Sequence, residues 1–159
     1  VLVYADRLHA GEEKTYRALA LSNLTAIYQK TPIGRLSAFC GAVSAGAGAG
    51  AGIAYLKGGD FEAVCRTVSN TLAVTPGMIC DGAKESCGLK VSNAASEAWS
   101  AAMLALENRG IRNTQGIISP DIHELGITLR EFNEKIFSAA DSVMIGLMTR
   151  QNRSAESRA

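Results

Sequence analysis

The chain has few aromatic side chains, almost no net charge and little alternation of apolar with polar residues. Aromatic residues make up 6% of its 159 residues, and the formal net charge is +1. No basic stripe interleaved with aromatics is present, so the sequence argues against nucleic-acid binding and against attraction to an anionic membrane surface. The scarcity of alternating β-branched and aromatic residues argues against a sheet. An apolar fraction of 47% and a charged fraction of 19% are typical of a globular domain.

Helical spacing of Ala, Leu, Glu and Lys recurs along the chain and predicts an all-α fold of about six helices. No internal repeat is apparent, so we expect a single domain over residues 1–150 and a frayed polar tail over 151–159. A first helix is predicted over 11–30, ended by Pro32. Its predicted buried stripe consists of Tyr16, Leu19, Leu24, Ile27 and Tyr28.

Residues 34–56 are rich in glycine, alanine and serine. Gly46 with Gly50, and Gly48 with Gly52, form interleaved small-residue pairs that let another backbone approach closely. Each glycine costs a helix about 1 kcal/mol relative to alanine. Packing must offset that cost, so we expect a buried central helix. A flexible loop and a membrane span are the alternatives, although few of these residues are strongly lipophilic.

Local signals predict the remaining helices. Asp60 is a good N-cap for a helix over 61–74, which the sequence Thr-Pro-Gly at 75–77 should end. A glycine-punctuated loop over 78–90 and a helix over 91–107 should follow. Ser119 is the expected cap of a short helix, with Pro120 at its first position.

The last helix is expected to begin at Thr128, where the sequence Thr-Leu-Arg-Glu resembles a capping box that ends at Glu131. An apolar stripe at helical spacing follows this start. Its members are Leu129, Phe132, Ile136, Ala139, Val143 and Leu147.

Four cysteines without a visible signal peptide favour a cytoplasmic protein with free thiols over a disulfide-bonded one. Cys40 opens the glycine-rich stretch, and Cys80 and Cys87 lie in the sequence GMICDGAKESCGLK. Their spacing alone leaves several alternatives open: a metal site, a zinc site in particular, or buried hydrophobic cysteines. Cys65, in FEAVCRTV, is interpreted as a core residue. Asp81 and Lys84 are equally consistent with an ordinary surface pair.

Two long segments, TPIGRLSAFCGAVSAGAGAGAG and GMICDGAKESCGLKVSNAASEAWSAAMLALE, closely resemble the C-terminal part of the L-cysteine desulfidase family, which is related to the iron–sulfur L-serine dehydratases. The resemblance covers residues 12–148. It implies a [4Fe–4S] cluster held by Cys40, Cys80 and Cys87, with one iron left open for substrate. It also implies β-elimination from L-cysteine to pyruvate, ammonia and sulfide without pyridoxal phosphate.

In that family a long N-terminal region with a substrate-binding motif precedes the matching segment. We therefore expect this chain to be a fragment that is inactive alone, with the catalytic base upstream and the missing region as its partner. Possible contacts to a small amino-acid substrate are Arg35, Lys84, Ser92 and Asn93. Arg35 has a salt bridge or a cap as its alternative role.

Two further alternatives stay open. L-serine is an equally acceptable substrate, since the residues around the leaving group are expected outside this chain. The other is a non-catalytic helical domain that uses its small-residue helix for assembly, for instance as a homodimer.

Overall fold

A computed structural model describes residues 1–113 and 116–156, with side chains up to residue 153, and the described chain is all-helical. No strand is assigned within these residues, and an isolated antiparallel bridge joins Phe39 to Ile79. The prediction of an all-α domain is therefore confirmed. The helices are α1 (Leu2–Arg7), α2 (Glu12–Ile33), α3 (Gly41–Leu56), α4 (Phe61–Val74), α5 (Cys87–Leu106), α6 (Ile122–Phe132) and α7 (Ser138–Glu156), and a π-helical turn (Asn133–Phe137) joins α6 to α7.

The glycine-rich helix α3 is the buried centre of the fold, as expected. A Cβ on Gly46 would lie 2.9 Å from the carbonyl oxygen of Ala94, and one on Gly50 would lie 3.0 Å from that of Ala98. The other two glycines, Gly48 and Gly52, contact α2 through Ser22 and Ala18 in the same way. The two glycine pairs thus bring α3 close to two different helices. No helix in the described ranges is long and apolar enough to cross a membrane.

The same contacts give the directions of the helices. Positions 46 and 94, and then 50 and 98, meet in the same order, so α3 and α5 run parallel. On the other side, Gly48 meets Ser22 and Gly52 meets Ala18, so α2 runs antiparallel to α3. The helix α4 returns from the end of α3 to its start. The C-terminal ends of α2 and α4 and the first turns of α3 and α5 therefore lie at one end of the bundle.

The predicted buried stripe of α2 is wrong. Tyr16, Leu24, Ile27 and Tyr28 are exposed, whereas Ala18 and Gln29 are buried. The reason is the partner helix: a glycine-rich surface accepts small residues at close range, so the contact face of α2 is built from residues such as Ala18 and Ser22.

Two helix starts also differ from the prediction. The segment 34–40 is not helical, and α3 begins at Gly41. Gly34 has a positive φ of 85°, and the following residues turn away to pair with residues 78–80. In contrast, α5 begins at Cys87, four residues before its predicted start. Pro32 does not end α2 directly but lies in its last turn.

The helix α4 spans the predicted residues, and the Asp60 carboxylate accepts from the backbone N–H of Ala63 at 2.8 Å. The predicted caps further along are wrong. Asp121, not Ser119, caps α6 by accepting from the N–H of His123 at 2.7 Å. Thr128 lies within α6, where its hydroxyl donates to the carbonyl of Glu124.

The predicted stripe of the last helix is right for Leu129 and Phe132, and the π-helical turn explains why it is wrong beyond them. A π turn holds one more residue than an α turn, so it shifts every later side chain around the axis. Ile136 and Val143 are exposed as a result, whereas Phe137 is buried and Ala140 and Met144 pack against the core. The helix α7 continues to Glu156, through the first part of the expected tail, and residues 157–159 lie outside the described range.

Candidate metal centre

Backbone pairing brings Cys40 and Cys80 together. The N–H of Cys40 donates to the carbonyl of Met78 at 3.1 Å, and the N–H of Cys80 donates to that of Ala38 at 2.7 Å. Both cysteines directly follow the bridged residues Phe39 and Ile79, so they lie on the same face of this short pairing as diagonal neighbours. Diagonal neighbours in antiparallel pairs lie about 7–8 Å apart. This geometry places the two thiols on adjacent backbone segments.

Helix packing brings Cys87 to the same level. In both glycine contacts, Gly46 with Ala94 and Gly50 with Ala98, the residue on α5 is numbered 48 higher than the one on α3. Because the two helices run parallel, the same offset places Cys40 level with Gly88, the neighbour of Cys87. Parallel helices pack about 8–10 Å apart, and glycine contacts favour the short end of that range. Cys40 therefore lies level with the first turn of α5 across a close helix contact. All three cysteines of the two motifs lie at one end of the bundle.

Two helix N-termini point at this end. Cys40 is the N-cap of α3, and Cys87 is the first residue of α5, and neither helix start has a side-chain cap. The free N–H groups and the helix dipole at such a terminus favour negative charge, including a thiolate. Cys40 is buried, while Cys80 and Cys87 are half-buried, and all are free thiols. The Cys87 thiol donates to the carbonyl of Gly82 at 3.8 Å.

A cluster of charged side chains borders the cysteines. Asp81 pairs with both Lys84 and Lys90. The hydrogen bond from Lys84, and next the one from Lys90, lowers the pKa of Asp81 to about 2. The pKa of Lys90 is raised, first by its hydrogen bond to Asp81 and then by the nearby charges of Asp81, Cys40 and Cys87. Lys90 is thus within electrostatic range of two of the thiols.

Cys65 lies apart from the other three. It sits on α4 ten residues before Thr75, where that helix ends near the cysteines. At 1.5 Å per residue this is about 15 Å along the axis. The sequence predicts Cys65 in the core, but the residue is half-buried and lines a surface groove with Phe61 and Ile122.

The four predicted substrate contacts have different positions relative to the cysteines. Arg35 is exposed in the irregular segment five residues before Cys40. Lys84 forms the surface pair with Asp81 that the sequence offered as its alternative role. Ser92 and Asn93 are exposed on α5, each turned roughly 120–140° around the axis from Cys87 at 100° per residue. The structure thus brings the three cysteines to one end of the bundle, with Lys84 beside them through its pair with Asp81, whereas Ser92 and Asn93 are turned away from Cys87.

No group of three or more His, Cys, Asp or Glu residues in the described chain is arranged to hold a single metal ion. A single ion needs all its donors about 2–2.3 Å from one point. An iron–sulfur cubane has separate irons for separate thiolates, so its ligands lie further apart. Three free thiols on converging segments, beside two helix N-termini, match the donor chemistry of such a cluster.

Lys90 is the residue that the sequence analysis missed. It lies three positions after Cys87, on the same face of α5, and its ammonium reaches back to the segment that carries Cys80. The spacing from Cys87 could have indicated it, because residues three apart on a helix are neighbours. Its partners Ile79 and Asp81, however, depend on the tertiary fold.

Relatives of the chain are longer than it is. It is 44% identical over 148 residues to a "UPF0597 protein" of Lachnoclostridium phytofermentans, covering 93% of this chain and 36% of the relative. It is also 44% identical over 149 residues to a "UPF0597 protein" of Phocaeicola vulgatus, covering 94% and 35%. A "UPF0597 protein" of Treponema denticola is 48% identical over 124 residues, which cover 78% and 29%. The chain spans about a third of the length of these relatives.

No solved structure matches the chain. The model of one protein family, described as "Serine dehydratase alpha chain", matches residues 1–140 and so includes Cys40, Cys80 and Cys87. This match agrees with the resemblance that the cysteine motifs carry. The chain belongs to the serine dehydratase alpha chain family.

Proposed function

We propose that this chain supplies the three cysteine ligands of a [4Fe–4S] cluster in a lyase that carries out β-elimination on a small amino acid. The proposal is supported by the backbone contacts that bring the segments of Cys40, Cys80 and Cys87 to one end of the bundle, namely the Phe39–Ile79 bridge and the α3–α5 contact. Membership of the serine dehydratase alpha chain family supports the reaction class.

The reaction removes the α-proton and expels the β-substituent of the substrate. The aminoacrylate that results hydrolyses to pyruvate and ammonia, while the β-substituent leaves as water from L-serine or as hydrogen sulfide from L-cysteine. When bound, a cluster with three protein thiolates supplies one iron with an open position, which acts as a Lewis acid. The residues of this chain hold the thiolates and place two helix N-termini and Lys90 beside them.

The two substrates have different support. The motif resemblance indicates L-cysteine, as in the cysteine desulfidases. The description of the matched family favours L-serine. Both need the same cluster ligands and differ in the leaving group. We propose L-serine as the first substrate to assay and L-cysteine as the second.

The surroundings of the cysteines favour a further protein region over this end of the bundle. Leu36 is 94% exposed, and Ile79 and Leu89 beside the cysteines are 45% and 75% exposed. Exposed apolar side chains around a reactive centre indicate a surface that another element covers. We propose that the part of the longer relatives that lies outside this chain covers this end and contributes the base and most substrate contacts. Of the residues here, Arg35 is the best candidate for the substrate carboxylate.

The alternative of an assembly domain built on the glycine-rich helix finds no support, since α2 and α5 of the same chain occupy both glycine faces of α3. A homodimer through another surface stays a prediction, as does a cytoplasmic location.

Anaerobic reconstitution with ferrous iron and sulfide tests the proposal. We expect a brown protein with broad visible absorbance and about four irons per chain. A protein of the full length of the relatives should then release pyruvate from L-serine or L-cysteine without added pyridoxal phosphate. A colourless product in which all thiols react with a thiol reagent would contradict the cluster. Zinc bound in place of iron would favour the zinc alternative.

A further inference from the structure

Lys90 joins the two segments that carry Cys80 and Cys87. Its ammonium donates to the backbone carbonyl of Ile79 at 2.6 Å and to the Asp81 carboxylate at 3.1 Å, so it holds the residues on both sides of Cys80. The backbone of Lys90 lies in the first turn of α5, where its N–H donates to the carbonyl of Ser86 at 3.2 Å. One side chain thus ties the loop to the helix start.

The backbone links between this loop and α5 are local hydrogen bonds, such as that from the N–H of Cys87 to the carbonyl of Lys84 at 2.9 Å, and none of those in the described chain reaches back to the Cys80 segment. The segment 81–86 has no regular secondary structure, and Gly82 adopts a positive φ of 97°. The Cys87 thiol reaches the Gly82 carbonyl only at 3.8 Å. Two hydrogen bonds from a charged group are stronger than neutral ones and hold their partners in a narrower geometry. Lys90 is therefore the main polar link between the Cys80 segment and α5.

Lys84 is a natural comparison within the same cluster. It also pairs with Asp81, but its side chain is 43% exposed, against 23% for Lys90, and only Lys90 is bonded to the Ile79 carbonyl. The Lys84 side chain starts from the loop and bonds to Asp81 of the same loop, so it does not join the loop to α5. Its removal loosens one carboxylate without separating the loop from α5.

We propose that Lys90 is a positioning residue, which fixes Cys80 relative to Cys87 and places a positive charge beside the thiolate ligands. This inference rests on the proposed function for its role in cluster binding, but the positioning itself exists in the metal-free protein. A nearby cation stabilises the reduced, more negative form of a cluster and so raises its reduction potential.

The test compares Lys90→Met, Lys90→Gln and Lys90→Arg with Lys84→Met as the matched control. In the metal-free chain, amide hydrogen exchange over residues 79–90 should become roughly tenfold faster or more in Lys90→Met, because two charge-assisted hydrogen bonds are lost. Lys90→Arg should restore slow exchange, and Lys84→Met should leave α5 unchanged. Lys90→Gln, which keeps a donor, provides a milder variant should the methionine variant fold poorly.

After anaerobic reconstitution, Lys90→Met should bind less iron, and its remaining cluster should have a more negative reduction potential that Lys90→Arg restores. Exchange in Lys90→Met and Lys90→Gln equal to that of the unchanged chain would overturn the inference. Amide hydrogen exchange that is accelerated as much in Lys84→Met as in Lys90→Met would overturn it as well. If the unchanged chain binds no iron, the proposed function fails, while the exchange data still decide whether Lys90 positions the loop.

Discussion

At the scale of single residues, the four cysteines fall into two classes. Cys40, Cys80 and Cys87 lie at the ends of elements, where backbone and helix termini converge, whereas Cys65 lies within α4. The sequence predicted the same division, because Cys65 sits at helical spacing among apolar residues and belongs to neither cysteine motif. The sequence alone did not show why the other three meet, since the Phe39–Ile79 bridge joins residues forty positions apart.

Cys65 has a raised pKa, caused first by burial and then by the negative charges of Asp121 and Glu62. A raised pKa leaves less thiolate at a given pH, so the pH profile of its alkylation should shift to higher pH in the folded chain than in the unfolded chain. Mass spectrometry of iodoacetamide-treated protein measures this shift. Glu62→Gln should reduce it slightly.

The midpoint of the profile, not its plateau, decides the outcome, because burial also slows the reagent sterically. A folded-state midpoint at or below that of the unfolded chain would contradict the assigned environment of Cys65.

At the scale of elements, the glycine faces of α3 determine how closely the helices pack. Sequence reasoning predicted this helix and its packing, since only close contact offsets so many glycines. Its start was predicted seven residues early, because the pairing of residues 38–40 with 78–80 is not a local property. The boundaries of α4 were predictable because Asp60 and the Thr-Pro-Gly sequence are local signals.

Gly48→Ala should destabilise the chain by about 1–3 kcal/mol, since the new Cβ meets the Ser22 backbone, which outweighs the gain in helix propensity. Gly146→Ala in α7 is the control, because its Cβ would meet nothing within 4 Å, and it should stabilise by up to about 1 kcal/mol. Urea unfolding followed by circular dichroism measures both. An unchanged free energy of unfolding in Gly48→Ala would contradict the close contact of α2 with α3.

The π-helical turn supports the cysteine end of the bundle. The side chain of Asn133, in this turn, accepts a hydrogen bond from the Ser37 hydroxyl at 2.5 Å. Ser37 lies two residues before the bridged Phe39. Phe137 packs edge-on against Phe39, with ring centroids 5.3 Å apart. A helical period of 3.6 cannot reveal such a turn, so the sequence predicted Ile136 as buried instead.

Phe137→Ala should therefore destabilise the chain by about 3–5 kcal/mol, the usual cost of removing a buried phenylalanine side chain. Ile136→Ala, at a side chain that is 51% exposed, should change stability by no more than about 0.5 kcal/mol. Thermal and urea unfolding of the two variants decides between the observed and the predicted stripe. A larger loss of stability in Ile136→Ala than in Phe137→Ala would contradict the shift of the buried face that the π-helical turn causes.

At the scale of the whole molecule, the chain presents its cysteines at an open end with exposed apolar neighbours, and its relatives are about three times as long. The family could be recognised from the sequence because the cysteine motifs are long. The directions of Ser92 and Asn93, which are turned away from Cys87, could not be foreseen, because they depend on α5 beginning at Cys87.

The chain of 159 residues should release no pyruvate from L-serine or L-cysteine, even when it is loaded with iron, because we propose that the base and the cover of the site belong to the part of the longer relatives outside it. A coupled pyruvate assay and a sulfide assay measure this, with a protein of the full length of the relatives as the positive control. Substantial turnover by the short chain would show that it holds a complete active site.

The most direct measurement of the central claim is iron content after anaerobic reconstitution of four single variants. Cys40→Ala, Cys80→Ala and Cys87→Ala should each lose most of the iron and the visible absorbance, because a cluster with three protein ligands depends on each of them. Cys65→Ala, the matched control, should keep about four irons per chain. Retention of iron in the first three variants, or an equal loss in Cys65→Ala, would contradict the claim that Cys40, Cys80 and Cys87 together hold the cluster.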